Sequence, residues 1–419
     1  MFSKKENNVE SELKLDLLSN YETVTKTLNN AISAFKLITE YLGPNKSKTY
    51  DLRLWLDENV TTETVNIQNT TFNSKVVVTA SYVKEMPFAT NVISKLAKDA
   101  DSSSTDVYTV PNKTSDTCTY TLAYDGTSDN NLRYVGENPC NYVKVDDEYW
   151  RIIGVMNNID DGTGKKESRI KLIRDESIGN YSWDTSDTNS GDGVNEWSQA
   201  DLMKLLNPGY ESESYGGSLY YNSKSGWCWS APGKGRSACD FTSKGLKSNL
   251  KSLIGNVLWN TGSNGENNWD STTNGLVNHF YSYERSNNTG KVCSSGNYCT
   301  DTITRKTVWQ GKVGLMYPSD YGYATVGNSS TSRSTCLSTA LQSWKGDCSN
   351  TDWLSNSTQW TMTPNGDSSK ACNAYLIGSS VSSLFGGMSY NVRPSVYILS
   401  KATILNGEGT KEEPYELSL

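Results

Sequence analysis

One histidine, His279, is all the imidazole that 419 residues supply. No Ser–His–Asp set and no histidine-rich metal site can be assembled around it, and between Asn278 and Phe280 it reads as a structural or surface residue. The cysteines never fall at Cys-x-x-Cys spacing, which removes zinc ribbons and redox dithiols. Neither a phosphate loop nor a dinucleotide fingerprint occurs. No apolar run reaches the length of a membrane-spanning helix, so no membrane insertion is expected of this segment. The opening stretch MFSKKENNVESELKL also lacks the apolar centre of a signal peptide. Basic residues number 39 against 46 acidic ones and form no cluster; with a net charge of −7 the chain is no nucleic-acid binder.

Phenylalanine is scarce, 7 residues, whereas tyrosine reaches 25 and tryptophan 12. Tyr and Trp join an apolar face to a polar tip, which suits half-buried strand positions and wet recognition surfaces. The mean hydropathy of −0.59 fits a chain rich in Ser, Asn, Thr and Gly.

Nine cysteines are present. In chain order, eight of them form four local pairs: Cys118 with Cys140, Cys228 with Cys239, Cys293 with Cys299, and Cys336 with Cys348. Their setting in polar loops such as Ser225-Gly226-Trp227-Cys228-Trp229 favours disulfides over unrelated buried thiols. Cys372 is left over as a free thiol. Disulfides imply an oxidising, extracellular or cell-surface setting, and loops this short contribute about 2–3.5 kcal/mol each in the chain-entropy model. The missing leader is then explained by a chain that starts downstream of its true beginning.

Three segments are expected. Residues 1–83 read as strands, since Glu12 to Leu17, Lys36 to Leu42 and Tyr50 to Asp57 alternate apolar and polar, and Lys75 to Tyr82 is β-branched. Val24 to Ala34 is a short helix or a long connection. Residues 84–116 form a linker, with a short helix over Pro87 to Lys98 and a polar run at Asp99 to Asp106. Residues 117–419 form the second domain. There Tyr142 to Val145 and Tyr149 to Met156 flank Asp146-Asp147-Glu148 as a hairpin, and Arg169 to Arg174 extends the sheet. One helix, capped by Asn195 or Ser198, ends at Asn207-Pro208-Gly209. A second runs from Leu246 to Trp259 on its apolar spacing. Val313 to Tyr317 is a strand, Pro318-Ser319-Asp320 a turn, and 261–275 a loop.

Two resemblances add to this reading. TYDLRLWLDENV and TFNSKVVVTASYV resemble the later half of the β-sandwich of camelysin-type surface proteins, which implies an incomplete all-β sandwich over residues 1–83. Residues 118–419 resemble uncharacterised surface proteins of gut Firmicutes through YWRIIGV, IKLIRDESIGNYSWD, NEWSQADLMKLLNPG, KVGLMYPSDYGYAT, QWTMTPN and NVRPSVYI. The closing pattern, a Trp-containing strand followed by a Val-Arg-Pro strand, is similar to major-paralogous-domain proteins and to the formylglycine-generating-enzyme-like branch of the C-type-lectin fold. The resemblance implies an α+β C-type-lectin-like domain with two helices, small antiparallel sheets and long disulfide-stapled loops. No enzymatic activity comes with it.

Within that frame Trp360 reads as core, and Arg393 as a tie from the final strand to a carboxylate or carbonyl. The small, polar residues between them make a permissive insert. Asn373, Tyr375, Ser379, Ser380, Ser382, Ser383, Leu384, Phe385, Tyr390 and Asn391 form its candidate ligand-binding face, aromatic anchors among adaptable polar residues. Diversity-generating retroelements act at the corresponding place in several proteins of the C-type-lectin fold. An ordinary loop-and-hairpin is the competing reading. A calcium-dependent sugar site is disfavoured: Glu137-Asn138-Pro139 and Asn268-Trp269-Asp270 lie in the wrong order or place for a C-type lectin, and Asp160-Asp161-Gly162 reads first as a turn. No cofactor is expected.

The function expected is ligand binding of an adhesin type, directed at a glycan or protein on host or neighbouring cells. The alternatives are a matrix or fimbria-like subunit that self-assembles through its sandwich and, more weakly, a hydrolase or oxidase. Non-reducing peptide mapping is expected to recover the four local pairs; free thiols at both Cys228 and Cys239 contradict the oxidising compartment.

Overall fold

Residues Arg169 to Arg174 form a fully buried run whose strand pairs on one side with the segment just before it and on the other with Ser395 to Tyr397, near the end of the chain. The computed structural model describes residues 87–185, 193–262, 272–286, 306–355, 357–365, 373–378 and 380–419, with 373–376 by backbone alone. Before residue 87 it describes four strands by backbone alone. The chain divides into two compact units, Met1–Met86 and Pro87–Leu419.

In the first unit, β1 (Phe2–Lys4) pairs in parallel with β4 (Leu54–Leu56). β2 (Glu10–Asp16) pairs antiparallel with β3 (Thr23–Asn29), Leu13 opposite Lys26. The segment beginning at Val24 is therefore neither helix nor connection at its start but a strand, as its Val and Thr residues favour. The strands expected over Lys36 to Leu42 and Lys75 to Tyr82 lie outside the described residues.

The second unit opens earlier than expected. Where a linker is predicted, α1 (Ala89–Leu96) buries Ala89 and Ile93, and β5 (Tyr108–Thr109) pairs with β6 (Thr121–Tyr124). An amphipathic helix with a covered apolar stripe belongs to a domain rather than a spacer. β7 (Leu132–Tyr134) follows. Then β8 (Tyr142–Val145) and β9 (Glu148–Asp160) form the expected hairpin, with Val145 opposite Glu148. Its turn places Asp146 at φ 55°, a left-handed conformation that Asp tolerates better than most residues. β10 (Lys166–Arg174) lies antiparallel to β9, and every residue from Arg169 to Arg174 is buried.

β11 (Asn180–Ser182) leads to a single 3-10 turn, Trp197–Gln199, and α2 (Asp201–Leu206). The cap of that turn is Glu196, whose side chain accepts from the Ser198 amide. Next come β12 (Ser225–Ala231) and β13 (Gly235–Asp240), paired as a hairpin. The long helix expected from Leu246 to Trp259 is split. α3 covers Ser248–Leu253, and Val257–Asn260 forms β14, paired with β15 (Val308–Gly311) so that Trp259 faces Trp309. Leu250 and Leu253 fit helical spacing, but Gly255 interrupts the run and β-branched Val257 starts the strand.

α4 (Val277–Glu284) precedes β16 (Val313–Gly314), which is shorter than the strand expected there. The predicted turn at Pro318 is instead the first turn of α5 (Pro318–Ala324). Pro at the first helical position and a capping box between Tyr317 and Asp320 are helix-start signals. α4 and α5 pack so closely that a Cβ on Gly322 would fall 2.4 Å from a Val277 methyl. α6 (Arg333–Leu337) and α7 (Gly346–Ser349) follow, then β17 (Gln359–Pro364), β18 (Asn373–Ile377), β19 (Val381–Phe385), β20 (Ser389–Asn391), β21 (Ser395–Tyr397), β22 (Thr403–Asn406) and β23 (Tyr415–Ser418). More helices are thus present than the two expected, all of them short.

The principal sheet has ten strands, running β16-β21-β10-β9-β7-β6-β5, with β8, β23 and β22 branching from β9. A second sheet of five strands runs β11-β20-β17-β18-β19. The architecture is α+β. Three disulfides, Cys118–Cys140, Cys228–Cys239 and Cys336–Cys348, match the predicted pairs; Cys293, Cys299 and Cys372 lie outside the described residues. Among the described residues no helix is long and apolar enough to cross a membrane.

The frame of the five-stranded sheet is fixed by buried tryptophans. Trp360 is buried, and its Nε1 donates to the Tyr181 carbonyl at 3.0 Å. Trp183 Nε1 donates to the Thr361 carbonyl at 2.9 Å. Trp360→Ala is expected to cost about 3–5 kcal/mol, measured by urea denaturation; a loss under about 1 kcal/mol contradicts its place in the core.

Candidate functional site

The ten predicted contact residues occupy one hairpin and the strand after it, but they do not form one free surface. β19 is the edge strand of the five-stranded sheet, bonded to β18 with Tyr375 opposite Ser383 and Asn373 opposite Phe385. Asn373 and Tyr375 are described by backbone only, and Ser379 lies outside the described residues. Ser382 is exposed, and Ser380 is half-buried. The rest are tied into the fold. Leu384 packs against the core, and Phe385 is half-buried. Ser383 Oγ accepts from Asn365 Nδ2 at 2.7 Å. Tyr390 lies edge-on to Trp360 at 5.2 Å, and Asn391 Nδ2 donates to the Thr358 carbonyl at 2.9 Å.

The permissive insert is therefore narrower than expected. Ile377 and Val381, inside it, are fully buried and anchor the hairpin turn from below. Arg393 ties to a carbonyl: its Nε donates to the Arg174 oxygen at 2.8 Å.

A cluster that the sequence reading does not identify lies elsewhere, between the principal sheet and α4 and α5. Asp320, on α5, accepts from Arg133 of β7 at 2.8 Å through Oδ1 and from Lys171 of β10 at 2.5 Å through Oδ2. The same Oδ2 accepts the Tyr317 amide. Arg133 also donates to Asp125 at 2.9 Å. All four charged side chains are buried. The Lys171 ammonium sits 4.0 Å from the centre of the Tyr317 ring, with Trp259 and Tyr397 at 5.3 and 5.5 Å. Burial opposes ionisation of Asp320, but Lys171 and Arg133 outweigh it and bring the carboxyl down to about 2. Burial brings Lys171 down to about 8 against the pull of Asp320. Both groups are charged at neutral pH.

Glu284, at the end of α4, faces the cluster. Its oxygens accept the Ser319 amide at 3.1 Å and the Ser319 hydroxyl at 2.5 Å, and Arg285 pairs with it at 3.2 Å. Burial dominates and pushes its carboxyl up to about 7. Arg285 stacks on Tyr281 at 3.5 Å and reaches Asp129 at 3.3 Å. An open pocket of about 440 Å³ borders these groups, lined by Thr127, Asn278, Tyr281, Ser282, Arg285 and Tyr323. His279 meets Tyr283 edge-on at 6.2 Å. Ser319 and Glu284 are both fully buried, and their contact ties α4 to α5. The cluster locks strands to helices.

One signal for it exists in the sequence: Lys171 interrupts the apolar run Ile170-Lys171-Leu172-Ile173, and a cation inside a buried strand needs a buried anion. Which anion is not readable, because Asp320 is 149 residues away.

Among the described residues, no group of three or more His, Cys, Asp or Glu side chains is placed to hold a metal ion. Asp160 accepts the amides of Gly162 and Gly164, the bonds of a turn. Asn268-Trp269-Asp270 lies outside the described residues. Comparison with protein-family models, with curated proteins and with solved structures gives no match.

The Glu284 shift has a sign that can be measured. A carboxyl raised from its usual 4.5 to about 7 keeps its proton in the fold at pH values where the unfolded chain has lost it. Its contribution to stability therefore falls as pH rises through that window. Relative to the wild type, Glu284→Gln is expected to gain stability between pH 4.5 and pH 7. Parallel stability curves for the two proteins across that range contradict the assignment.

Proposed function

We propose that this chain is a surface-displayed binding protein of the C-type-lectin type, which holds a glycan or protein ligand at its C-terminal hairpin without transforming it. The observation that carries the reading is the position of β19. Among the described strands it is the edge of a sheet whose inner strand β17 is buried along its whole length. An edge strand offers unpaired backbone donors and acceptors to an extended partner, and a rigid sheet behind it lowers the ordering cost of binding. Ser382 is exposed on that strand, and Ser380 stands at the turn before it, so side chains there can change without disturbing the core. Of the two ligand classes the edge favours an extended protein segment.

The oxidising setting is supported by the three disulfides, which persist where thiols are not kept reduced. From Asn373 to Asn391 the hairpin carries no Asp, Glu, Lys, Arg, His or Cys. Recognition there depends on shape, hydrogen bonds and the half-buried Phe385 and Tyr390.

The test is binding of the purified chain to arrays of bacterial and host surface proteins and glycans, repeated with Ser382→Arg. The variant is expected to lose affinity about tenfold or more, ~1.4 kcal/mol, with no change in thermal midpoint. Ligand binding that survives the substitution contradicts the edge-strand site.

A further inference from the structure

The most exposed large aromatic side chain described in the molecule is Trp227, 53% accessible, and it is on neither the C-terminal hairpin nor the buried cluster. It lies on β12, where alternation puts Trp227 and Trp229 on one face and Cys228 on the other. Cys228 is buried and bonded to Cys239 of β13, so the disulfide staples the two strands of the hairpin to each other on its inward face. On the outward face Trp227 stands opposite exposed Ala238, and Trp229 opposite exposed Arg236. Tyr215 extends this face: its ring meets Trp229 at 4.9 Å, and the Arg236 guanidinium lies over it at 4.4 Å. The Trp227 carbonyl accepts the Gly216 amide at 2.7 Å, which fixes the Tyr215 segment against the hairpin.

We propose that this hairpin is a second binding surface, a platform for a glycan that carries carboxylated sugars. Trp227 supplies an open indole face on which the apolar C–H face of a pyranose ring stacks, and a disulfide-stapled hairpin presents it at little entropic cost. Arg236 is exposed and held by stacking, and among the described residues it forms no ion pair, so its fork is free for a carboxylate. The segment from Lys224 to Lys251 carries six basic residues and one acid, Asp240, in a chain whose net charge is −7, and one of the six, Lys247, is already paired with Asp147. An aromatic face beside an unpaired cation fits an acidic sugar better than a neutral one or a hydrophobic peptide.

The experiment uses the purified full chain, with disulfides intact, on a panel of uronic- and sialic-acid oligosaccharides. Each is matched to its carboxyl-reduced, neutral counterpart, and binding is read by calorimetry and by tryptophan fluorescence. At least one acidic oligosaccharide is expected to bind, and its reduced form to bind about tenfold more weakly. Trp227→Ala is expected to weaken both forms by about tenfold or more, with an unchanged thermal midpoint because the side chain is exposed. Arg236→Gln is expected to abolish the preference for the acid while keeping binding of the neutral form. Ser382→Arg is expected to leave glycan binding as it is, which separates this surface from the C-terminal edge. The proposal is overturned if no acid on the panel is preferred over its reduced form. It is also overturned if Trp227→Ala binds like the wild type, or if Ser382→Arg abolishes the glycan signal.

Discussion

Asp320 compensates two cations that water cannot reach. Arg133 comes from β7 and Lys171 from β10, while Asp320 sits at the first turn of α5 and also caps that helix. A buried pair adds little net stability compared with a well-packed apolar replacement, but removing one partner costs about 3–5 kcal/mol. Here one carboxylate has two such partners. The cluster therefore acts mainly as a specification: only the arrangement that brings α5 onto β7 and β10 satisfies all the charges. Its neighbours follow from it. Tyr317, Trp259 and Tyr397 surround the ammonium with ring faces, and Glu284 fixes Ser319 beside Asp320. The hairpins at the periphery stand on a base defined by this interaction.

Much of the local structure was legible in the sequence because its causes are local. The β8–β9 hairpin followed from alternation around an Asp-Asp turn, and three cysteine pairs followed from short spacing. Trp360 and Arg393 were legible as frame. What failed depended on tertiary context. The run from Leu246 to Trp259 has helical spacing, yet Val257 to Asn260 pairs with β15, some fifty residues on. Pro318-Ser319-Asp320 has the composition of a turn and also that of a helix start, and packing against α4 selects the helix. Residues 84–116 read as a linker because α1 and β5 are short and polar sequence surrounds them.

The candidate site was only partly legible for a related reason. Ser, Asn and Tyr serve equally as ligand contacts and as ties to the fold. Ser383, Tyr390 and Asn391 turned out to be ties, and only the strand pairing shows that β19 is an edge. Trp227 and Trp229 stood in plain view beside Cys228, but their shared outward face depends on knowing that the segment is a strand with its disulfide turned inward.

The order of strands in the principal sheet also governs when this domain can form. β21 lies between β10 and β16, and it is made only after nearly all the rest of the chain. While residues up to Asn391 are being synthesised, the outer edge of β10 has no strand neighbour and its backbone groups there are unpaired. The three disulfides close short loops and cannot bring β21 there sooner. Sheets completed by such distant segments fold slowly and leave unpaired edges open to aggregation. Losing the last few dozen residues would therefore remove an interior strand of the principal sheet rather than its end.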